Sequence, residues 1–199
     1  MNTLRATLLA LAAMAGPAAQ AATSVATFAG GCFWCTEADF ERVPGVIAVV
    51  SGYTGGHVDD PSYEEVSAGG TGHVEAVEIR FDPAVVSYAR LLEIYWHSID
   101  PYDADGQFCD RGPQYRSAIF VHDAAQRAAA ERSKAELAQR YPDRPAIVTP
   151  ILPAVRFWVA EVAHQDYHRK NPVRYRYYRW GCGRDARLDA LWGPHRPGR

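Results

Sequence analysis

Short apolar and alternating runs, cut by clusters of glycine and proline, organise the chain from residue 24 onward. Ser24 to Ala29 is strand-like and ends at Gly30-Gly31, after which Thr36 to Arg42 reads as a helix. Val46 to Ser51 is an apolar strand that Gly52-Tyr53-Thr54-Gly55-Gly56 breaks into a loop. The segment from His57 to Gly72 carries Pro61, Ser62, Gly69 and Gly70 and reads as an ordered functional loop. His73 to Phe81 alternates as a strand, Ser87 to Ile99 has helical spacing in Leu91, Leu92, Tyr95 and Ile99, and Ser117 to His122 is a further short strand. Asp123 and Gln126 resemble a capping box that opens an alanine-rich helix to Arg140. Ala146 to Leu152 is a last strand ended by Pro153, and a helical turn or two follows from Ala160 to Tyr167.

The order strand, helix, strand, strand, helix, strand predicts an α+β, two-layer sandwich with a ferredoxin-like βαββαβ core. Added helices and an irregular C-terminal tail from about residue 172 complete it, with no internal repeat and no domain-splitting linker. One position stands out within this pattern. Glu75 shares a strand face with Val77, Ile79 and Phe81, whereas Glu78 and Arg80 take the opposite face. A carboxyl group on the apolar side is desolvated and holds its proton to higher pH, which makes it a proton donor. The same phase also admits a glutamate at the strand's rim whose side chain reaches water.

The first residues bear on where the chain works. Arg5 precedes an apolar run from Ala6 to Ala15, then Pro17 and Ala19-Gln20-Ala21, the pattern of a secretory signal cleaved before Ala22. The apolar run is too short to span a membrane. The expectation is therefore a leader at 1–21 and one catalytic domain at 22–199, periplasmic or secreted and free of the membrane after cleavage. Both methionines, Met1 and Met14, fall in the leader, consistent with a mature protein hardened against oxidants. With 21 basic against 23 acidic side chains the chain has no nucleic-acid footprint.

Gly31-Cys32-Phe33-Trp34-Cys35 places a thiol between a glycine turn and a helix start. Unpaired N–H groups and the positive end of the helix dipole there favour thiolate over thiol. Cys32 and Cys35, at i and i+3, have the spacing of redox or metal chemistry rather than of stapling. Tyr63 lies in the glycine-rich loop, and Phe108-Cys109-Asp110-Arg111-Gly112-Pro113-Gln114-Tyr115-Arg116-Ser117 concentrates polar groups before a strand. His164 and His168 fall at i and i+4 on one helical face, a spacing metals can use, but packing or solvent-side histidines are the expected reading. The alternation of arginine and tyrosine from Arg174 to Arg179 reads as a surface strap packed on the domain.

Gly31-Cys32-Phe33-Trp34, Gly52-Tyr53-Thr54-Gly55-Gly56, Pro61-Ser62-Tyr63-Glu64-Glu65-Val66, Thr71-Gly72-His73-Val74-Glu75-Ala76-Val77 and Gln114-Tyr115-Arg116-Ser117-Ala118-Ile119 occur in this order. Together they resemble the A-type peptide methionine sulfoxide reductases, from about residue 25 to Asn171-Pro172. The resemblance implies that Cys32 is the nucleophile, that Phe33 and Trp34 wall the pocket for the substrate methyl group, and that Glu75 protonates or hydrogen-bonds the sulfoxide oxygen. It also implies that Tyr63 and Tyr115 bind that oxygen and that Asp110 orders the site. The implied reaction reduces the S epimer of methionine sulfoxide, free or in proteins, through a sulfenic acid and an intramolecular disulfide. It needs no metal or organic cofactor, only an external thioredoxin-like or dithiol reductant, and the expected state is a monomer.

The chain departs from the family's commonest pattern at Cys35, where many members have glycine. Cys35 has the shorter loop to close on Cys32. Cys182, between Gly181 and Gly183, sits in a tail expected to swing in, and Cys109 is a third candidate resolver. Cys35 as first resolver with Cys182 as relay is the favoured order. Two alternatives remain: a zinc-stabilised module using Cys32 and Cys35 with Cys109, Cys182 or His164, and a general exchanger of thiols and disulfides. The exchanger gives no reason for Glu75, Tyr63 and Tyr115.

Overall fold

The computed structural model describes residues 23–198; the expected leader at 1–21 lies outside the described residues. A six-stranded sheet holds β1 (Ser24–Gly30), β2 (Val46–Thr54), β3 (Val74–Phe81), β6 (Ser117–Val121), β7 (Ile151–Pro153) and β8 (Trp158–Val159). Its order is β7-β6-β1-β3-β2-β8, and β6–β7 is the parallel pair among antiparallel neighbours. The four inner strands, β6-β1-β3-β2, with α1 (Phe33–Phe40) and α3 (Tyr88–Ser98) as crossovers, form the βαββαβ core expected from the element order. The small hairpin of β4 (Gly106–Gln107) and β5 (Asp110–Arg111) lies between α3 and β6.

Strand β1 is central and buried on both faces, which accounts for its run of small and apolar residues. Phe28 stacks on Tyr95 at 4.7 Å between ring centres and meets Phe40 at 5.5 Å, tying the sheet to α3 and α1. Ala29, Ala76, Ala118 and Phe120 form a second apolar cluster with Phe157. Burying a large apolar side chain of this kind contributes about 1.5–3 kcal/mol.

Local capping chemistry sets the helix starts. Asp123 accepts the Gln126 N–H at 2.7 Å and opens α4 (Ala124–Arg140), as its sequence suggests. Ser87 caps α3 in the same way. The segment read as a loop from His57 to Gly72 contains a short helix, α2 (Tyr63–Ala68), because Ser62 and Glu65 form a reciprocal capping box.

Four expectations need correction. The strand read at Ala146–Leu152 is confined to β7, and β8 follows it, so it is not the last strand. The helical turns expected at Ala160–Tyr167 are turns only; α5 (Tyr167–Lys170) begins after Asp166, whose φ of 53° breaks the path. His164 and His168 therefore do not share a helical face. The C-terminal region is not irregular, since α6 (Pro172–Gly181) and α7 (Arg184–Trp192) span most of it. The arginine and tyrosine strap does pack on the domain, and it does so as a helix: helical spacing brings Tyr175, Tyr178 and Arg179 to one face against α1. Arg179 bonds Asp39 of α1 at 2.9 Å and Asp185 of α7 at 2.9 Å, clamping the three helices.

Candidate active site

Cys32 is the N-cap of α1: the Cys35 and Thr36 N–H groups donate to its carbonyl at 3.1 and 3.3 Å. The preceding Gly31 has φ of 81°, and a Cβ there would stand 2.6 Å from the Gln107 Cβ. Only glycine fits this turn. Gln107 in turn is fixed by bonds to the Asp100 N–H and carbonyl at 2.8 Å each, so the β4–β5 hairpin backs the nucleophile's loop.

Glu75 occupies the helix side of β3 and is 2% exposed, so the rim alternative is excluded. It accepts the Phe33 N–H at 2.9 Å, which places a carboxyl group beside the residue that follows Cys32. Burial pushes its pKa up to about 8, against the pull of the Phe33 N–H. The acid is therefore protonated near neutrality, as its strand phase suggested.

The thiols behave differently from the expectation based on the helix dipole. Cys32 is 6% exposed, and burial raises its pKa, with further increments from its hydrogen bond to Cys35 and from the Glu75 and Asp110 carboxyl groups. Cys35, 1% exposed, is lowered to about 7 by the hydrogen bond from Cys32, and the Arg184 and Arg179 cations pull the same way. The shared hydrogen bond thus raises the Cys32 thiol and lowers the Cys35 thiol. Desolvation outweighs the dipole because the N-terminus of α1 is buried.

An aromatic wall surrounds the pair. Trp34 stacks face to face on Tyr167 at 3.7 Å and donates its indole N–H to His164 Nδ1 at 3.2 Å. Phe33 lies beneath, within 6.5 Å of the Tyr63 ring and 5.4 Å of the His164 ring. Tyr63 and Tyr115 are half-buried, and burial and the Glu75 charge raise both hydroxyls, which keeps them as donors. Tyr63 is placed by Glu161, whose carboxylate accepts the Tyr63 N–H at 2.7 Å and the Tyr53 hydroxyl at 2.9 Å. Asp110, on β5, accepts the Tyr178 hydroxyl at 2.5 Å, and burial raises its pKa.

Cys32, Glu75, Tyr63, Tyr115, Phe33 and Trp34 thus converge, with Asp110 close enough to act on Cys32, Glu75 and both tyrosines through its charge. Sequence reasoning did not place Glu161, Tyr167 or Tyr178 in the site, and it read His164 as packing or a metal ligand. The Glu161-to-Tyr167 stretch was a visible signal, but its direction depended on the turn at Asp166. His168 points away to Glu41, 3.2 Å from its Nε2. Cys182 is not in a free tail: it ends α6 and is joined to Cys109 in a disulfide. Neither is therefore a free thiol here, and neither is open to the zinc set considered above. Among the described residues, the group of possible metal ligands that gathers is Cys109, Asp110 and Cys182, apart from Cys32 and Cys35.

A buried thiol, a protonated buried carboxyl group and two phenols beside one aromatic cleft suit a substrate whose oxygen must be protonated while its partner atom is attacked. The family model for peptide methionine sulfoxide reductase matches residues 24–196. A peptide methionine sulfoxide reductase MsrA of Bacillus licheniformis is 54% identical over 169 residues, 85% of this chain and 93% of its own. MsrA 2 of Caulobacter vibrioides is 51% identical over 94% of this chain and 95% of its own. Among solved structures, reduced Mxr1 of Saccharomyces cerevisiae superposes with a TM-score of 0.71 at 30% identity, covering 76% of this chain and 87% of that one. Methionine sulfoxide reductase A of Corynebacterium diphtheriae gives 0.68 at 33% identity, covering 78% of each. The chain belongs to the peptide methionine sulfoxide reductase family, and its reaction is the thiol-dependent reduction of methionine S-sulfoxide to methionine.

Proposed function

We propose that Glu75 is the acid, Cys32 the nucleophile and Cys35 both the proton acceptor and the resolving thiol of this reaction. The observation that carries the reading is the 2.9 Å bond from the Phe33 N–H to Glu75, which fixes a protonated carboxyl group beside the Cys32 loop. The Cys32 sulfur attacks the sulfoxide sulfur as its proton passes to Cys35 and the Glu75 proton passes to the sulfoxide oxygen. Methionine leaves, and the oxygen stays on Cys32 as a sulfenic acid. Cys35 then condenses with it, releasing water and forming the Cys32–Cys35 disulfide. Tyr63 and Tyr115 donate to the oxygen as charge develops, while Phe33 and Trp34 receive the substrate methyl group.

The residues present supply acid, nucleophile and donors, so the scheme calls on no metal or organic cofactor. A thioredoxin-like dithiol is the proposed reductant; yeast Mxr1 is also seen in complex with Trx2, at 20% identity to this chain and a TM-score of 0.52. The leader pattern at 1–21 supports export and hence a periplasmic donor. Assay with the separated S and R epimers of methionine sulfoxide and a small dithiol tests the reading. Turnover of the S epimer alone is expected; equal turnover of both, or exchange of protein disulfides with no sulfoxide reduction, would overturn it.

A further inference from the structure

Arg184, the first residue of α7, is a buried cation that the reaction described above does not use. It is 1% exposed. Its guanidinium donates to the Gly30 carbonyl at 3.1 Å and the Ser98 carbonyl at 2.9 Å and lies over the Phe108 ring at 4.6 Å, while its Nε has no partner. None of these partners is a carboxylate. A charge taken out of water is costly unless an opposite charge answers it, and carbonyl dipoles and an aromatic face offset only part of that cost. Helix α7 nevertheless holds it inside: Arg187 pairs with Asp100 at 2.8 Å, Trp192 donates to the Ile99 carbonyl at 3.1 Å, and Leu188 is buried.

The nearby acids are committed elsewhere. Asp39 and Asp185 both bond Arg179, so that second cation is paired. Glu75 accepts the Phe33 N–H and is protonated near neutrality. Asp110 accepts the Tyr178 hydroxyl at 2.5 Å, with the Cys182 sulfur 3.8 Å away, and burial raises it against the pull of Arg184.

The Arg184 guanidinium instead abuts the turn that carries the nucleophile. Gly30 precedes Cys32 by two positions, and a Cβ on Gly31 would stand 3.7 Å from Arg184 Nη1. The Cys35 thiol feels the charge: it is lowered first by its hydrogen bond with Cys32 and then, against burial, by Arg184 ahead of Arg179.

We infer that Arg184 is a positioning residue for the thiol chemistry, fixing the Gly30 carbonyl at the entry to the Cys32 turn and setting an unpaired buried cation against the thiol pair. This rests on the reductase reading above and adds the counter-charge for its nucleophile. When Cys32 and Cys35 share one proton, the pair carries one negative charge. Arg184 answers that charge with no carboxylate bonded to it.

Thiolate absorbance tests this without substrate. In a Cys109→Ser, Cys182→Ser background the remaining thiols are Cys32 and Cys35. With Arg184 in place, the first thiolate should form with a midpoint below the ordinary thiol value of about 8.5. Arg184→Met should raise that midpoint by about one unit and cut single-turnover methionine formation near neutrality by roughly tenfold. Arg184→Lys keeps the charge and loses the fork, so it should restore most of the midpoint and only part of the rate. A merely structural residue would lower the urea midpoint of Arg184→Met and leave the thiolate midpoint unmoved, which would overturn the proposal. So would a midpoint at or above about 8.5 with Arg184 in place, a result that needs no variant at 184 to fold. Protein that titrates as expected but forms no methionine from the S-sulfoxide would instead refute the reductase reading.

Discussion

At the residue scale, the proposed chemistry rests on three buried groups whose proton affinities are shifted by desolvation and by a shared hydrogen bond. Desolvation lifts Glu75 to about 8 and raises Cys32, while the shared hydrogen bond brings Cys35 to about 7. The acid form of Glu75 is therefore present below about pH 8 and lost above it. Glu75→Gln keeps an acceptor for the Phe33 N–H but has no proton to give, so single-turnover methionine formation should fall by roughly 100- to 10,000-fold. The wild-type rate should also decline above about pH 8, a limb absent from the variant. A stopped-flow series from pH 6 to 10 reads both, and an unimpaired Glu75→Gln rate would remove Glu75 from the reaction.

At the element scale, the site is assembled by segments distant in sequence. Glu161 reaches the start of α2 and the side chain of β2 with one carboxylate, so the Tyr63 hydroxyl is aimed by a turn 98 positions away. Glu161→Ala would strand the Tyr53 hydroxyl, on a side chain with no exposed surface, at a cost of about 1–3 kcal/mol. The expected outcome is a lower urea midpoint together with a slower single turnover. A variant that loses stability but keeps the full rate would show that Tyr63 needs no such support.

The Asp123 cap with Gln126 and the in-facing phase of Glu75 were legible at this scale because they are local, whereas the equally local capping box of Ser62 and Glu65 was passed over among the surrounding glycines and its segment read as a loop. The alternation of arginine and tyrosine in α6 gave the packing on the domain but not the helical conformation, because its pattern carries no helical period. Tyr175, Tyr178 and Arg179 choose the helix only when α1 offers Cys35, Ala38 and Asp39 as partners.

At the scale of the whole molecule, buried carboxyl groups link stability to pH. Burial raises Glu75 to about 8 and Glu37 to about 7, both above the range of an unfolded carboxylate. Groups raised in this way add stability that is full at low pH and is lost as pH climbs through the folded values. Urea midpoints should therefore fall between about pH 5 and 8, each group contributing up to about 1.4 kcal/mol per pH unit. Glu75→Gln should flatten part of that decline. A wild-type midpoint that rises over the same range would contradict the assignment.

The sequence alone determined the βαββαβ core order, the Asp123 cap and the family, and it singled out Cys32 and Glu75 as candidates for nucleophile and acid. Each of these is written in local spacing or in motifs that survive without knowledge of contacts. Only the tertiary structure decided that the Cys32 thiol is raised and the Cys35 thiol lowered, because desolvation depends on what covers a helix end. It alone also paired Cys109 with Cys182 and brought Tyr178 and Asp110 between the two thiol pairs. Pairings across 73 positions are set by packing, which no spacing along the chain records.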